Sequence, residues 1–487
     1  MEASTVDYSR KWYVMAAVAM GIFLATIDGS IVNVALPTLV RNLDADFATV
    51  QWVVLAYLLT LATLLLSMGR LGDMIGKKPI YSAGFVVFTL GSVLCGLSPS
   101  VYWLIAFRVV QAVGASMVFA LGTAIVTEAF PPSERGRALG LGGTIVSVGI
   151  VVGPTLGGLI IDALSWHWIF FVNLPVGLVG TAMAVRFVPA LRPSGRQRFD
   201  LPGAITLFLC VFSLLLALTL GQGLGFGDAR VLLLFAAGLI LVTAFVAIER
   251  RADQPMIDLR LFQNRLFSVN LITGLATFVS MGGTMILIPF FLENVLGYGT
   301  RQVGLLMATV PLALGIVAPA SGALSDRVGT RPITVVGLAS MLAGFYAMST
   351  LDPSTGTLGY VLRFLPVGIG MGIFQSPNNS AVMGAVPRAR LGIASGLLSI
   401  TRTLGQTTGI SVLGALWASR VVFHAGLAPG GGGATDASPA AQVSGLHDTF
   451  YVVIVILALA LILAIWGVVQ ERRLRQVGIA PANPQAQ

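Results

Sequence analysis

The sequence predicts an all-α polytopic membrane protein, and three observations predict it. Charged residues make up only 10% of the 487, while hydrophobic ones make up 56%. A soluble domain carries roughly 25% charge, so the surface of a water-soluble globule of this size could not be covered. The apolar residues gather into fourteen continuous stretches, each near the ~20 residues that a bilayer-crossing helix needs. Finally, Lys and Arg alternate between successive connecting segments, 22 in one set against four in the other, with the remaining three inside the stretches. Disordered chains are charge-rich and apolar-poor and are excluded. With two Cys and no three-residue glycine period, disulfide scaffolds and collagen are excluded as well.

The stretches are, in order, 12–36, 50–68, 79–97, 102–126, 138–164, 169–188, 201–220, 231–248, 267–292, 303–324, 333–348, 360–383, 393–422 and 451–469. Outer-membrane strands would be ~10 residues with alternating polarity; these are longer and continuously apolar. The first is too long for a signal peptide, carries Asp28 and lacks a small-x-small cleavage site, so it is expected to be retained. Pro37 is expected to end it. Trp12, Trp52, Trp103, Trp166, Trp168 and Trp466 fall near span ends, where amphipathic rings sit. The basic set of connections includes Arg10, Lys11, Arg135, Arg137, Arg250, Arg251, Arg472 and Arg473. The positive-inside rule then places both termini in the cytoplasm and demands an even number of helices. The net charge of +9 is therefore read as topology, not as a nucleic-acid footprint. The segment 425–449, with a glycine run from Gly430, reads as an external loop before the last span.

The halves of the chain repeat. GRLGDMIGKKP from Gly69 matches GALSDRVGTRP from Gly322; Arg108 matches Arg363; Gly149 and Gly153 match Gly405 and Gly409. The offsets stay between 253 and 256, which implies two homologous six-helix bundles, a plan that places substrate at the midplane between repeats. The stretches 201–220 and 231–248 have no counterpart and read as an insertion.

Four motifs carry chemistry. In the GRLGDMIGKKP loop, Gly69 and Gly76 permit a tight turn, Asp73 can pair with Arg70 or cap helix amides, and Lys77 and Lys78 hold the loop inside. In RVVQAVGASM, Arg108 lies within an apolar span, where a charge costs ~2.5–3.5 kcal/mol on insertion scales, so it should face a cavity and a partner. In TIDGSIVNVALPTL, Asp28 is the cleanest intramembrane acid; desolvation disfavours a carboxylate, the property a proton carrier needs. In GIVVGPTLGG, Gly149, Gly153 and Gly157 line one helix face and Pro154 favours a bend.

These segments resemble those of the major facilitator superfamily, and Asp28, Val32, Asn33, Ala35, Leu36 and Pro37 resemble the first-helix signature of its fourteen-helix drug:proton antiporters. SWHWIFFVNLPVG from Ser165 is similar to that subfamily's sixth-helix entry. The resemblance implies a major facilitator fold of fourteen transmembrane helices: a six-helix bundle over 12–188, a linker with two extra helices over 189–265, a second bundle over 266–470 and a cytoplasmic tail over 471–487. It implies that Asp28 and Arg108 serve proton coupling. Gly149, Gly153, Pro154 and Gly157 would form a pivot packed against the second bundle. Gly69, Arg70, Asp73, Gly76, Lys77, Lys78, Asp326 and Arg327 would form a cytoplasmic gate. Asn33, Tyr57, Gln111, Glu293, Gln375, Asn378, Asn379 and Gln406 are candidates for lining a substrate cavity, or for satisfying one another. Glu128 and Asp162 are weaker candidates for coupling, and Glu293 is left open between rim and cation recognition.

The three His are widely spaced with no metal pattern, no GxxxxGK[ST] loop occurs, and an enzyme is not expected. The expected function is proton-coupled efflux of hydrophobic or cationic drugs and antibiotics across the cytoplasmic membrane by a monomer, with protons as the coupling ion and no other cofactor. The alternatives are an exporter of another cargo (lipid, siderophore or metabolite) and a non-transporting sensor on the same fold.

Overall fold

The computed structural model describes residues 8–131, 134–190, 200–251, 259–386, 391–427 and 433–476. All fourteen predicted stretches are helical. The helices are α1 (Lys11–Asn42), α2 (Phe47–Ile75), α3 (Lys77–Gly96), α4 (Val101–Ala129), α5 (Arg135–Ala163), α6 (Trp168–Phe171), α7 (Asn173–Phe187), α8 (Leu201–Leu224), α9 (Ala229–Arg251), α10 (Arg265–Phe290), α11 (Thr300–Met307), α12 (Thr309–Val328), α13 (Thr330–Met348), α14 (Thr357–Gly384), α15 (Leu391–His424) and α16 (Pro439–Gln476). Among the described residues, twelve helical spans are long and apolar enough to cross a membrane, and no strand occurs.

Two stretches read as single spans are each broken once. α6 and α7 part at Val172, and α11 and α12 part at Ala308. Proline has no N–H to give the carbonyl four residues back. Pro175 and Pro311 leave the carbonyls of Phe171 and Met307, the last residues of α6 and α11, without that donor. Pro37 does not end α1, contrary to expectation. The helix runs on to Asn42, because residues 30–39 are buried on every side and packing holds the segment helical. The last span also starts earlier than expected. α16 begins at Pro439, so much of the supposed external loop is helix.

Contacts divide the chain into two compact units, Met1–Met256 with Tyr298–Ala308, and Ile257–Gly297 with Thr309–Gln487. In the first unit, α1 packs on α4, α5 and α7, while α3 packs on α4 and α7. The inserted α8 packs on α9 and α2, with Trp52 of α2 against Phe212 of α8. Only 28% of the α8 span and 17% of the α9 span are buried, against 61% for α1, so the insertion flanks the unit and stays out of its core. In the second unit, α10 packs on α15 and α13 on α14.

The glycine face of α5 fits against α1. A Cβ at Gly153 would collide with Ser30 Oγ and sit 3.1 Å from the Ile27 carbonyl oxygen; one at Gly157 would sit 2.7 Å from Ile31 Cγ1. Ser30 Oγ donates across this seam to the Gly149 carbonyl at 3.2 Å. Gly149, Gly153 and Gly157 thus meet α1 of the same unit, while the carbonyl of Pro154 faces Gly304 of α11, a helix inside the stretch 266–470 expected as the second bundle. Glycine permits this because nothing else lets two backbones come so near. On the flank of the same helix, Gly158 meets Gly304 of α11, whose Cα lies 3.1 Å from where a Cβ would stand. The second unit repeats the seam, with Gly405 and Gly409 of α15 against Phe278 and Val279 of α10.

Candidate functional site

The first unit buries a polar cluster in its apolar core. α1 contributes Asp28, which is 0% exposed, and α4 contributes Arg108 at 1%. Arg108 Nη1 donates to Asp28 Oδ2 at 2.5 Å and to Gln111 Oε1 at 2.6 Å, and its Nε donates to the Val53 carbonyl of α2 at 3.0 Å. The Tyr57 ring lies under the guanidinium at 4.1 Å, a stacking that desolvation strengthens. The other carboxylate oxygen, Asp28 Oδ1, accepts from Gln111 Nε2 at 2.7 Å and from Asn173 Nδ2 of α7 at 3.0 Å. Gln111 Nε2 also donates to Ser92 Oγ of α3 at 2.7 Å. Five helices therefore contribute to one cluster, and two of them, α4 and α7, donate to the carboxylate itself.

Local sequence explains the convergence. Gln111 follows Arg108 by three residues, so both share one face of α4. Gly91 lets α3 approach that face, since a Cβ there would sit 2.7 Å from Gln111 Cα, and Ser92 is delivered to the amide. Asn173 is the first residue of α7, just past the break at Val172. Arg108 lies seven residues into α4, about 10 Å along the axis at 1.5 Å per residue, and so halfway between the start of its helix and the middle. The expected pairing of Asp28 with Arg108 is present in the geometry.

Tyr57 and Gln111, candidates for a substrate cavity, belong instead to this cluster, at 2% and 0% exposure. Asn33 is also buried, and its amide donates to the Gly29 carbonyl at 3.2 Å within its own helix. In the second unit Asn378 is buried and its Oδ1 lacks a partner among the described residues. Gln375 and Gln406 are half-buried and Asn379 is exposed. Glu293 is half-buried in a π-helical turn, Phe291–Val295, that follows α10. Asp162 is exposed at the end of α5.

The repeat partner Arg363 behaves differently from Arg108. It is half-buried, with Nε donating to Thr350 Oγ1 at 3.0 Å and Nη1 to the Gly359 carbonyl at 3.1 Å. Neither is an acid. Matching the glycine seams places Ser280 of α10 where α1 carries Asp28, because Gly153 faces the Ile27 carbonyl and Gly409 faces that of Val279.

At the predicted gate, Gly76 ends α2 at φ +108° and its repeat Gly329 ends α12 at φ +95°, backbone that side-chain-bearing residues avoid. Lys77 pairs with Glu128 of α4 at 2.5 Å, both partly exposed, so Glu128 holds two helix ends together. Gly69 and Lys78 are half-buried and Arg327 is exposed. The side chains of Arg70, Asp73 and Asp326 lie outside the described residues.

A cavity of about 180 Å³ opens beside α1, α4 and α5, lined by Met15, Val18, Ile22, Phe119, Thr123 and Val126 among others. Among the described residues its lining carries no charge. Among the described residues, no three His, Cys, Asp or Glu cluster in a way that could hold a metal.

The sequence reading missed Ser92 and Asn173. Asn173 stands in the SWHWIFFVNLPVG stretch as a lone amide among apolar residues, and the cost of burying it without a partner was the signal available.

A family model described as Major Facilitator Superfamily matches residues 18–410. The riboflavin transporter RibZ of Clostridioides difficile is 33% identical over 85% of this chain and 90% of its own. The multidrug transporter protein MdtP of Bacillus subtilis is 30% identical over 91% of this chain and 82% of its own. A crystal structure of a bacterial homologue of the human lysosomal transporter Spinster superposes with a TM-score of 0.67 at 18% identity, covering 96% of this chain and 98% of that one.

Proposed function

The chain belongs to the Major Facilitator Superfamily and is a multi-pass membrane transporter rather than an enzyme, and from that premise we propose that it exports hydrophobic or cationic drugs in exchange for protons. The observation that carries this reading is the fully buried Asp28, ion-paired to Arg108. A buried ion pair is a weak source of stability and is costly at membrane depth. Its place in the core is better accounted for by a proton that comes and goes. In this reading Asp28 takes up and releases the proton, Arg108 is its charged partner, and Gln111 holds both. Alternating access moves the occupied site between the two sides of the cytoplasmic membrane, with both chain termini inside. Gly76, Lys77 and Glu128 act at the cytoplasmic gate of the first unit, and Gly329 stands at the repeat of that turn in the second. The α1–α5 glycine seam is the surface along which the helices shift. The uncharged cavity beside Phe119 and Thr123 suits an apolar cargo, and the multidrug relative in Bacillus subtilis supports that class.

The test is efflux of fluorescent dyes and antibiotics from a pump-deficient bacterium with and without an uncoupler. Uphill efflux that collapses with the uncoupler and is lost in Asp28→Asn is the expected result. Efflux that persists without a proton gradient would sink the coupling. A second reading, transport of a metabolite, is favoured by the similarity to the riboflavin transporter. Riboflavin movement that outcompetes every dye in the same cells would establish it.

A further inference from the structure

We propose that Asn173 is the residue that reads the protonation state of Asp28 and passes it to the joint between α6 and α7. This rests on the reading of Asp28 as the proton carrier. As built, both carboxylate oxygens face only donors: Arg108 Nη1 on Oδ2, and Gln111 Nε2 and Asn173 Nδ2 on Oδ1. The arrangement matches a carboxylate. When a proton bonds to Oδ1 the charge is neutralised, and the new O–H needs an acceptor where two N–H groups now point. One donor must reverse or withdraw.

Arg108 cannot reverse, because guanidinium carries no acceptor. Gln111 is locked. Its Oε1 accepts from Arg108 Nη1 at 2.6 Å and from Cys95 Sγ at 3.8 Å, so turning its amide over would set N–H against N–H. Asn173 is not locked. Among the described residues its Oδ1 has no partner, and its second Nδ2 bond, to Ser92 Oγ, is long at 3.4 Å. Turning it over brings Oδ1 to the Asp28 hydroxyl, and the Ser92 hydroxyl is a rotor that can donate to the same oxygen.

The position of Asn173 converts that reversal into motion of the chain. It is the first residue of α7, one residue past the break at Val172. The amide therefore ties Asp28 of α1 to the weakest point of the α6–α7 span. The titratable groups facing Asp28 from neighbouring helices are Arg108 on α4, Tyr57 on α2 and Cys95 on α3. None of them lies on α7, where Asn173 makes the hydrogen bond to Asp28.

The test uses the full-length protein in nanodiscs with two readouts against pH. Infrared difference titration follows the carboxyl band that Asp28→Asn removes. An environment-sensitive fluorophore on Leu178→Cys, an exposed position on α7, follows the helix; the native Cys95 and Cys210 are buried. In the parent the two are expected to titrate together. In Asn173→Leu and in Asn173→Ala, which differ in volume, the Asp28 band should still titrate while the fluorescence response is lost. If the response survives in either variant, Asn173 does not carry the signal and the proposal fails. If no Asp28 band titrates in the parent, the carrier reading itself falls, and the proposal with it.

Discussion

Neutralising one member of the Asp28–Arg108 pair should cost far more than neutralising both. The pair is 0% and 1% exposed, and leaving one buried charge without its partner costs about 3–5 kcal/mol. Arg108→Gln should sit at the upper end, about 5 kcal/mol, because it strips Asp28 of its cation and Gln111 Oε1 of a donor. Asp28→Asn should sit nearer 3 kcal/mol, because Arg108 keeps the Val53 carbonyl, Gln111 Oε1 and the Tyr57 ring. The double variant buries no net charge, so its loss should be no greater than that of Arg108→Gln alone. The interaction energy of the cycle is then about 3 kcal/mol, at the top of the range for neighbouring residues. Unfolding by sodium dodecyl sulfate in mixed micelles, on all four proteins, measures it. If the two single losses add to within about 0.5 kcal/mol, the pair is not coupled and the electrostatic account of the cluster is wrong.

Three further outcomes follow from the packing. Gly153→Ala should destabilise by about 1–3 kcal/mol through overpacking, because Ser30 Oγ and the Ile27 carbonyl fill the space. Gly142→Ala on the same helix meets only Ile22 Cδ1, at 3.6 Å, and should leave the same unfolding midpoint unmoved. Asp46→Ala removes the acceptor for the Thr49 amide at the start of α2, a bond of 2.7 Å, and should cost about 1 kcal/mol; loss of less than a tenth of that would show the cap to be idle. Lys77→Gln breaks a pair that is 20% and 33% exposed, so its cost should stay below about 1 kcal/mol and shrink further in high salt; a large salt-independent loss would contradict that.

What the sequence revealed and what it hid divide along a physical line. Apolar run length follows bilayer thickness, and all fourteen stretches read from it are helical. That Arg108 needs a partner was legible from its apolar setting, and the resemblance to the family pointed to Asp28 of the first helix. Side-chain direction was not. Tyr57 and Gln111 looked like polar lining for a cavity, yet α2 and α4 turn them toward the carboxylate. The glycine face of α5 was visible, but which helix it meets depends on packing, and the partner is α1. Arg363 looked like a second Arg108 because the offset matched, yet its bonds are to a hydroxyl and a carbonyl. Pro37 looked like a helix end; burial of residues 30–39 outweighs its one missing hydrogen bond.

The asymmetry between the two repeats has an electrical consequence. Among the described residues the buried carboxyls are Asp28 and Glu249, and Glu249 stands in the last turn of α9. Were Asp28 the sole carrier in the reading proposed above, with Ser280 in the matching place of the second unit, one cycle would take in one proton. An uncharged cargo leaving in exchange then moves one net charge inward, a step assisted by about 2.3 kcal/mol for each 100 mV of membrane potential. A monovalent cation leaving in exchange moves no net charge, and the voltage does no work on it. Imposing a potassium diffusion potential at constant pH should therefore accelerate export of neutral compounds and leave export of monovalent cations unchanged, so that in this reading Asp28 sorts cargoes by the energy source that drives them.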